Sequence, residues 1–492
     1  MHYNCVKCDI CGNSMRVNLR FISFINGVIL CGLAISMSIP VCFDILFCNG
    51  QCFGVFIPSV LFCLFIGIST ILACRDTSEQ LKLTQNDSYL LVVSIWVIAS
   101  VFSAFPFYFY HGTESTFIQA LFESTSGLTT TGVTIYSDVE SLPLPIHLWR
   151  FILHFMGGIG VVAIGIIALP MMRVGGMQLF TIENSDKSNK IFPRTSHVAW
   201  TFACIYFITT ILFALILRTS GMAPFDALCH SISAISTGGF STKNAGIAGF
   251  SYSGISFILA IEMLLGGLSF TEIIRCFKYG PRSFLKNQQT SCYIKIILIS
   301  ITCPIAIGFF TSHASLSIEA IAKHVFNTIS SISTTGFNNH GQYINSNILF
   351  FLLALIGGCS GSTTGGIKVF RLQVLYSILK NQITQQHNTT QRMSMKYQGR
   401  IIDESLIMSV ITYFVLLSAL FLLSVVLLHV FTEMNISNIC HIVLSHMFNI
   451  GYIPEVSSIK WVAKIVLITD MIAGRLEIMP IVMLIGYLRF RR

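Results

Sequence analysis

Charged residues are scarce in this chain of 492 residues. Asp, Glu, Lys and Arg make up 10% of it, hydrophobic residues make up 53%, and the mean hydropathy is +0.74. An ordinary soluble domain has roughly 25% charged residues, so this shortage excludes a soluble globular protein. Apolar stretches of the ~20 residues that a helix needs to cross a bilayer recur along the whole chain. The ten stretches lie near residues 21–47, 52–74, 88–110, 147–172, 197–219, 250–275, 292–312, 346–379, 403–431 and 459–488.

Features of several other protein classes are also missing. The first apolar stretch begins after Arg20 and lacks a convincing signal-peptide cleavage site, so we interpret it as the first span. The formal net charge is +9, but the cations are spread between spans, which predicts no nucleic-acid partner. A membrane-embedded enzyme would need clustered His, Asp or Glu ligands or a nucleophile with a base. Neither His230 nor His324 belongs to a HExxH pair, and we interpret both as structural.

Lysine and arginine are absent from residues 111–149 and concentrated in every second connection between spans. Because positively charged connections stay on the cytoplasmic side, both termini are predicted to be cytoplasmic. The basic residues of these connections are Arg75, Lys82, Arg173, Lys187, Lys190, Arg194, Arg275, Lys278, Arg282, Lys286, Lys368, Arg371, Lys380, Arg392, Lys396 and Arg400.

Four outer connections contain an internal repeat, each a helix-length stretch that ends in small residues and glycine. The repeated segments read FESTSGLTTTGVT from Phe122, HSISAISTGGFST from His230, NTISSISTTGFNN from Asn327 and SHMFNIGYIPE from Ser445. Superposition aligns one glycine of each, at Gly132, Gly239, Gly336 and Gly451. We therefore predict an all-α polytopic membrane protein with four repeats of span, pore loop and span around one pore. The predicted units are a tail at 1–20, two extra spans at 21–75, and repeats at 88–173, 197–277, 292–380 and 403–489.

The short helix of each repeat, about 12 residues long, cannot cross a bilayer, so it must enter and turn back. Non-helical backbone at that depth has to line a cavity or be buried in protein. Asp226 and Glu319 lie near the starts of two such helices, where the positive end of the helix dipole stabilises a negative charge. The C-terminal, negative ends of the helices then face the pore. This orientation and the exposed carbonyls favour a cation. The alternative is four Ser/Thr/Gly-rich turns that serve helix packing.

The eighth apolar stretch is interrupted by a run rich in glycine and hydroxyl residues. Interior glycines destabilise a helix, and their free backbone groups are tolerated at membrane depth beside a cavity. We predict a gate below the filter, with a flexible kink as the alternative. Ile367 stands where a phosphate-binding loop needs lysine, which excludes nucleotide binding. The gate residues are Gly357, Gly358, Gly361, Ser362, Thr363, Thr364, Gly365, Gly366 and, at the cytoplasmic end, Lys368.

Arg475 lies inside the last apolar stretch, and an intramembrane charge indicates a functional site. We predict that it points into the conduit as an electrostatic barrier to cations. The alternatives are an ion pair with Glu477 or Asp470 and a charge that reaches the cytoplasmic surface. Glu262, in the sixth stretch, is a weaker candidate.

Two cysteine groups have other interpretations. Cys5, Cys8 and Cys11 have metal-ligand spacing but lack a second pair, so free thiols in the tail are favoured over a metal site. Cys48 and Cys52 lie in the first outer connection, where a disulfide is the alternative to two thiols if the compartment is oxidising.

These motifs resemble the Trk/Ktr/HKT superfamily of K+ transporters, which includes bacterial Trk and Ktr translocation subunits and plant and fungal relatives. The resemblance spans nearly the whole chain and is carried by FESTSGLTTTG, AISTGGFS, SISTTGF, GGCSGSTTGGIK and GRLE, with two extra spans first, as in the Trk membrane subunit. It implies K+ uptake across a bacterial cytoplasmic (inner) membrane, without enzyme activity or an organic cofactor. It also implies a homodimer with a cytoplasmic nucleotide-binding regulatory subunit of the TrkA type.

The resemblance further implies that four triplets bind K+, that the glycine-rich run is the gate and that Arg475 is the barrier. In plant relatives, serine at the first filter glycine accompanies Na+ transport, so Gly132 favours K+ over a Na+ or mixed-cation transporter of the same fold. The fourth loop departs from bacterial relatives, which more often have proline directly after the glycine, where this chain has Tyr452. The implied filter residues are Thr130, Thr131, Gly132, Thr237, Gly238, Gly239, Thr334, Thr335, Gly336, Asn449, Ile450 and Gly451.

Overall fold

The computed structural model describes residues 18–75, 85–110, 116–167, 195–250, 253–311, 317–337, 348–387, 396–397, 400–401, 404–451 and 459–490. The cysteines at positions 5, 8 and 11 lie outside these ranges. The described chain is helical except for one antiparallel pair of two-residue strands, β1 Lys396–Tyr397 and β2 Arg400–Ile401. The predicted all-α membrane fold is confirmed in its essentials.

Two long helices precede the repeats, α1 Leu19–Phe47 and α2 Phe53–Ala73. The Asn18 side chain accepts a hydrogen bond from the Phe21 amide and so caps the start of α1. The two helices approach closely where small residues face each other, because a side-chain carbon on Gly27 would lie 2.9 Å from the Gly67 carbonyl oxygen. Cys48 and Cys52, at the ends that these helices present to each other, are both free thiols.

The helices that follow repeat one pattern, a long helix, a short helix and a second helix that is often interrupted. The first group is α3 Gln85–Ser103, α4 Phe105–Phe109, α5 Phe117–Leu128 and α6 Leu144–Ile167, and the second is α7 Thr195–Thr219, α8 Pro224–Ile235, a 3-10 turn Gly246–Gly249, α9 Ser253–Gly267 and α10 Phe270–Tyr279. The third is α11 Arg282–Lys286, α12 Gln288–Thr311, α13 Ile318–Ile332, α14 Ile348–Ile356 and α15 Val369–His387, and the fourth is α16 Glu404–Phe431, α17 Ile436–Met447, α18 Trp461–Arg475 and α19 Met479–Phe490.

The short helices α5, α8, α13 and α17 correspond to the predicted pore helices and have 12, 12, 15 and 12 residues. Their starts have the expected signals: Thr116 forms a capping box with Gln119, Pro224 opens α8, and Ser317 caps α13. Their C-terminal halves are buried among the other helices. Long helices such as α16 instead expose large apolar residues on the outside, as a bilayer requires.

Besides the predicted break within 346–379 and a short turn at Ala104, two predicted spans are not single helices. The stretch 250–275 breaks between Gly267 and Phe270, where α9 and α10 meet at 101°. The stretch 459–488 breaks between Arg475 and Met479. Within the described residues, six helices are long and apolar enough to cross a membrane, or seven with the bent pair. At the first break, backbone groups bond the glycine-rich loop of the third repeat instead of continuing the helix. At the second, the Ile478 amide bonds the Ala473 carbonyl, which closes the end of α18 within its own chain segment.

Candidate functional site

All four pore helices end in the same hydrogen-bonded turn. In each repeat the residue three positions before the shared glycine caps the C-terminus of the helix. The residue after this cap adopts a left-handed backbone conformation. The amide one position before the glycine bonds the carbonyl five residues earlier, which together defines a Schellman motif. The left-handed residues are Thr130, Thr237, Thr334 and Asn449, with φ of 53°, 55°, 56° and 53°. The 6→1 bonds are Thr131 to Ser126, Gly238 to Ser233, Thr335 to Ser330 and Ile450 to Ser445, at 2.8–3.0 Å.

Threonine in this conformation is unusual, because glycine or asparagine normally occupies it and a β-branched side chain disfavours it. Strained backbone of this kind persists where the surrounding structure enforces it, and it is concentrated at functional sites. Three of the shared glycines are also left-handed, Gly132 at +79°, Gly239 at +84° and Gly336 at +78°. Gly451 is the exception, because its φ lies outside that region. The fourth strand therefore differs from the other three.

The four segments converge on one axis. A side-chain carbon built on Gly451 would lie 3.0 Å from the carbonyl oxygens of Thr131 and Thr335 and 3.4 Å from that of Gly238. Carbonyl oxygens from three repeats thus surround a single point beside the backbone of the fourth. A side-chain carbon on Gly336 would likewise lie 2.7 Å from the Gly451 nitrogen. The structure brings the four predicted filter segments together and arranges these backbone carbonyl oxygens as a ring.

Side-chain hydrogen bonds join the segments across the ring. Asn449 donates from Nδ2 to Thr131 Oγ1 at 2.9 Å and to the Met471 carbonyl at 3.0 Å, which connects the fourth segment to the first. Within single repeats, the hydroxyls of Thr129 and Thr131 lie 2.7 Å apart. The ring is therefore held from behind by polar side chains as well as by packing.

The glycine-rich loop between α14 and α15 packs directly against the inner end of this ring. The Gly365 amide donates to Thr334 Oγ1 at 2.9 Å, and Thr363 Oγ1 donates to the Ile235 carbonyl, the last residue of α8, at 2.9 Å. A side-chain carbon on Gly365 would overlap the Phe448 carbonyl of the fourth repeat. The loop contacts the filter segments of three repeats, so the predicted broken helix is present and lies next to the filter.

The loop is also fixed to the bent second repeat. The Cys359 amide donates to the Gly267 carbonyl at 2.9 Å, and the Thr363 amide donates to the Gly266 carbonyl at 3.2 Å. These carbonyls have left the helical hydrogen-bond pattern at the end of α9, and the loop satisfies them. This exchange explains the 101° bend that the apolar pattern did not predict.

Arg475 is buried, with 6% of its surface exposed, and it bonds carbonyl oxygens instead of a carboxylate. Nη1 donates to Thr363 in the loop at 2.7 Å, and Nη2 approaches Gly157 of α6 at 3.4 Å. The alternative of an ion pair with Glu477 or Asp470 finds no support among the described contacts. Asp470 accepts from Ser424 at 2.7 Å, and Glu477 binds two other cations.

Those cations are Lys368, the last residue of the loop, and Arg371, in the first turn of α15, and together with Glu477 they form a carboxylate latch. Lys368 Nζ lies 3.2 Å from Glu477 Oε1, and Arg371 binds Oε2. The Arg371 guanidinium also lies 3.9 Å above the Tyr413 ring. Glu477 and Ile478 both have left-handed backbones, at 62° and 58°. The latch connects the end of the loop to the break between α18 and α19, and the sequence interpretation missed it.

Comparison with known proteins agrees with this architecture. The TrkH family model, described as a cation transport protein, matches residues 56–487. This chain belongs to the TrkH family. Two similar proteins are the Trk system potassium uptake protein TrkI of Halomonas elongata, 30% identical over 82% of this chain and 84% of the relative, and TrkH of Salmonella typhimurium, 30% identical over 86% and 90%.

A solved member of the TrkH family has the same fold. The crystal structure of the potassium transporter TrkH from Vibrio parahaemolyticus superposes with a TM-score of 0.86 at 26% identity, and the match covers 95% of this chain and 98% of that one. This match confirms the family that the motifs indicated.

Two other buried carboxylates lie behind the filter of this TrkH-family chain. Glu262 accepts from Ser231 Oγ of the second pore helix at 2.6 Å, and Asp470 occupies a comparable place in the fourth repeat. Neither faces the ring of carbonyls in the described contacts. Among the described residues no group of three or more His, Cys, Asp or Glu side chains could hold a metal ion.

Proposed function

We propose that this protein takes up K+ across a bacterial cytoplasmic membrane through the ring of filter carbonyls. The observation that carries the proposal is the convergence of the Thr131, Gly238 and Thr335 oxygens on one point. Such oxygens replace the hydration shell of a cation without adding charge, and the C-terminal ends of four pore helices point toward it. The similar proteins of Halomonas elongata and Salmonella typhimurium are potassium uptake proteins, which supports K+ as the cargo. An enzymatic role finds no support in a family of cation transport proteins.

The glycine-rich loop is the proposed gate and Arg475 the proposed barrier. The loop bonds Thr334 and Ile235 at the inner side of the ring, so its displacement opens the path there. The guanidinium of Arg475 holds the Thr363 carbonyl and places a positive charge beside the loop. A passing cation is repelled by that charge unless the side chain moves.

Membership of the TrkH family also supports a proposal for the membrane, the orientation and the partners of the protein. The protein lies in the bacterial inner membrane with both termini cytoplasmic, and works as a homodimer with a nucleotide-binding regulatory subunit of the TrkA type. K+ is cargo and no organic cofactor is required. A Na+ or mixed-cation transporter of the same fold is the second candidate, and only the dimensions of the ring distinguish the two.

The test is K+ rescue. The chain is produced, with a regulatory subunit, in bacteria that lack K+ uptake systems, and growth is measured at low K+ beside uptake of Rb+ and Na+. We expect growth and Rb+ uptake, with little Na+ uptake. Comparable Na+ uptake would support the mixed-cation candidate, whereas a membrane-inserted protein that carries none of these ions would overturn the proposal.

The latch offers a test of gating. Replacing Glu477 by glutamine leaves Lys368 and Arg371 without their carboxylate, and buried cations left unpaired are costly, about 3–5 kcal/mol. We expect the end of the loop to loosen and K+ uptake per inserted protein to rise about threefold. A rise of this size requires only a small part of the free energy that the unpaired cations cost. Measured Rb+ uptake, normalised to protein in the membrane, provides the value.

The matched control for the latch is Glu404→Gln, which neutralises an exposed glutamate in the first turn of α16. It should leave uptake unchanged. Unchanged or reduced uptake in the Glu477 variant, at normal protein levels, would show that the latch does not hold the loop closed.

A further inference from the structure

A buried ion pair stands behind the outer half of the filter. Arg150 of α6 donates from Nε to Glu123 Oε1 of the first pore helix at 2.8 Å, and both side chains are at most 1% exposed. Glu123 accepts from Thr134 Oγ1 at 3.0 Å and from the Ile135 amide at 2.9 Å. Thr134 and Ile135 come just after the filter glycine Gly132, so the carboxylate holds the outer end of the first strand.

The same arginine extends to the second strand. Its guanidinium lies 4.0 Å above the Phe240 ring, and Nη1 approaches the Ser241 carbonyl at 3.5 Å. Phe240 and Ser241 come just after the filter glycine Gly239. Arg150 thus contacts the outer segment of the second repeat directly and that of the first repeat through Glu123.

His154, one helical turn after Arg150 on α6, completes the contact. Its ring is stacked on Phe240 with centroids 4.2 Å apart. A side-chain carbon on Gly238 would overlap this ring, whereas the equivalent filter positions of the other repeats carry Thr131, Thr335 and Ile450. The imidazole therefore fills the space where the other three strands have a side chain of their own.

The contact between pore helix and outer strand differs around the pore. Nine residues before the shared glycine the four repeats have Glu123, His230, Asn327 and Ile442. In the second repeat His230 Nε2 lies 2.9 Å from Ser241 Oγ, the counterpart of the Glu123 bond to Thr134. The charged version occurs in the first repeat, a histidine–serine contact in the second, and an apolar residue in the fourth.

We propose that Glu123, Arg150 and His154 form a brace that positions the first two filter strands and thereby sets the discrimination between K+ and Na+. This inference rests on the proposed K+ filter. A ring of carbonyls selects by the distance at which its oxygens are held, and the brace fixes the two strands that supply the Thr131 and Gly238 oxygens. The three are positioning residues, since the described contacts place none of them on the ring itself.

The test measures the ratio of Na+ to Rb+ uptake per inserted protein in Glu123→Gln, Arg150→Gln and the double variant. Each single change leaves one buried charge unpaired, and we expect the ratio to rise at least fivefold. In the double variant no charge remains, and because both residues act through one pair, its ratio should rise no further than that of the larger single change. Arg150→Lys, which keeps the charge but loses the planar fork, should lie between wild type and Arg150→Gln.

A parallel pair addresses His154. His154→Phe keeps a ring of similar size beside Phe240 and Gly238, and we expect a wild-type ratio. His154→Ala removes the ring and should raise the ratio. The matched control is Lys243→Gln, which breaks an exposed pair with Glu140, at 3.9 Å, that also joins the outer segments of repeats one and two. It should change the ratio by less than twofold.

Ratios within twofold of wild type in all variants, with uptake of both ions falling together, would overturn the brace and leave these residues a structural role only. A wild-type protein that carries neither Rb+ nor Na+ would instead refute the proposed function. The two failures are distinguishable because only the second affects the unmodified chain.

Discussion

Replacing Gly132 with serine is expected to lower K+ uptake at least tenfold and to raise the ratio of Na+ to K+ uptake. Gly132 has a φ of +79°, which disfavours any L side chain by roughly 1–2 kcal/mol. A side-chain carbon there would overlap the Gly238 carbonyl oxygen of the neighbouring repeat. Since that oxygen belongs to the proposed ring, the substitution displaces a ligand as well as straining the backbone.

The size of the effect should follow the geometry of each glycine. Gly451→Ser is expected to be milder, because its φ is outside the left-handed region and the nearest atoms to a side-chain carbon lie at 3.0 Å. The control is Gly32→Ser on α1, where nothing lies within 4 Å. Uptake by all variants is measured as Rb+ and Na+ flux per inserted protein. Wild-type flux and selectivity in Gly132→Ser would remove this glycine from the ion pathway.

The repeated glycines indicated where the candidate site lies, because they mark positions at which neighbouring backbone leaves no room for a side chain. Gly239 and Gly336 also have the left-handed backbone conformation that glycine adopts more readily than other residues. Threonine at the left-handed position of the first three Schellman motifs had no comparable signature, since glycine or asparagine is the usual residue there. Only Asn449 follows the common preference.

Contacts between repeats could not be read from the sequence. Hydrophobic periodicity reports which face of one segment is buried, but not which segment covers it. Arg150 and Ser241 are 91 positions apart, and Arg371 and Glu477 are 106 apart, so their contacts depend on the arrangement of the repeats. The bend after Gly267 has the same origin, because its carbonyl is satisfied by a loop of the next repeat.

Replacing Arg475 with alanine is expected to raise K+ uptake at least threefold. The guanidinium donates to the Thr363 carbonyl of the loop at 2.7 Å, and a hydrogen bond from a charged group contributes about 1.5–3 kcal/mol. Alanine removes this bond together with the positive charge that opposes a cation. Both losses act in the same direction, since one frees the loop and the other lowers the electrostatic barrier.

Arg475→Lys separates the two contributions. Lysine keeps the charge but lacks the planar fork that spans Thr363 and Gly157, so the barrier remains while the connection between the loop and α6 weakens. Arg489→Ala, the same kind of change at an exposed site on α19, is the control. High Rb+ uptake in the alanine variant alone would assign the effect to charge, and high uptake in both would assign it to the loop. Wild-type uptake in both would mean that neither the charge nor the bond to Thr363 limits permeation.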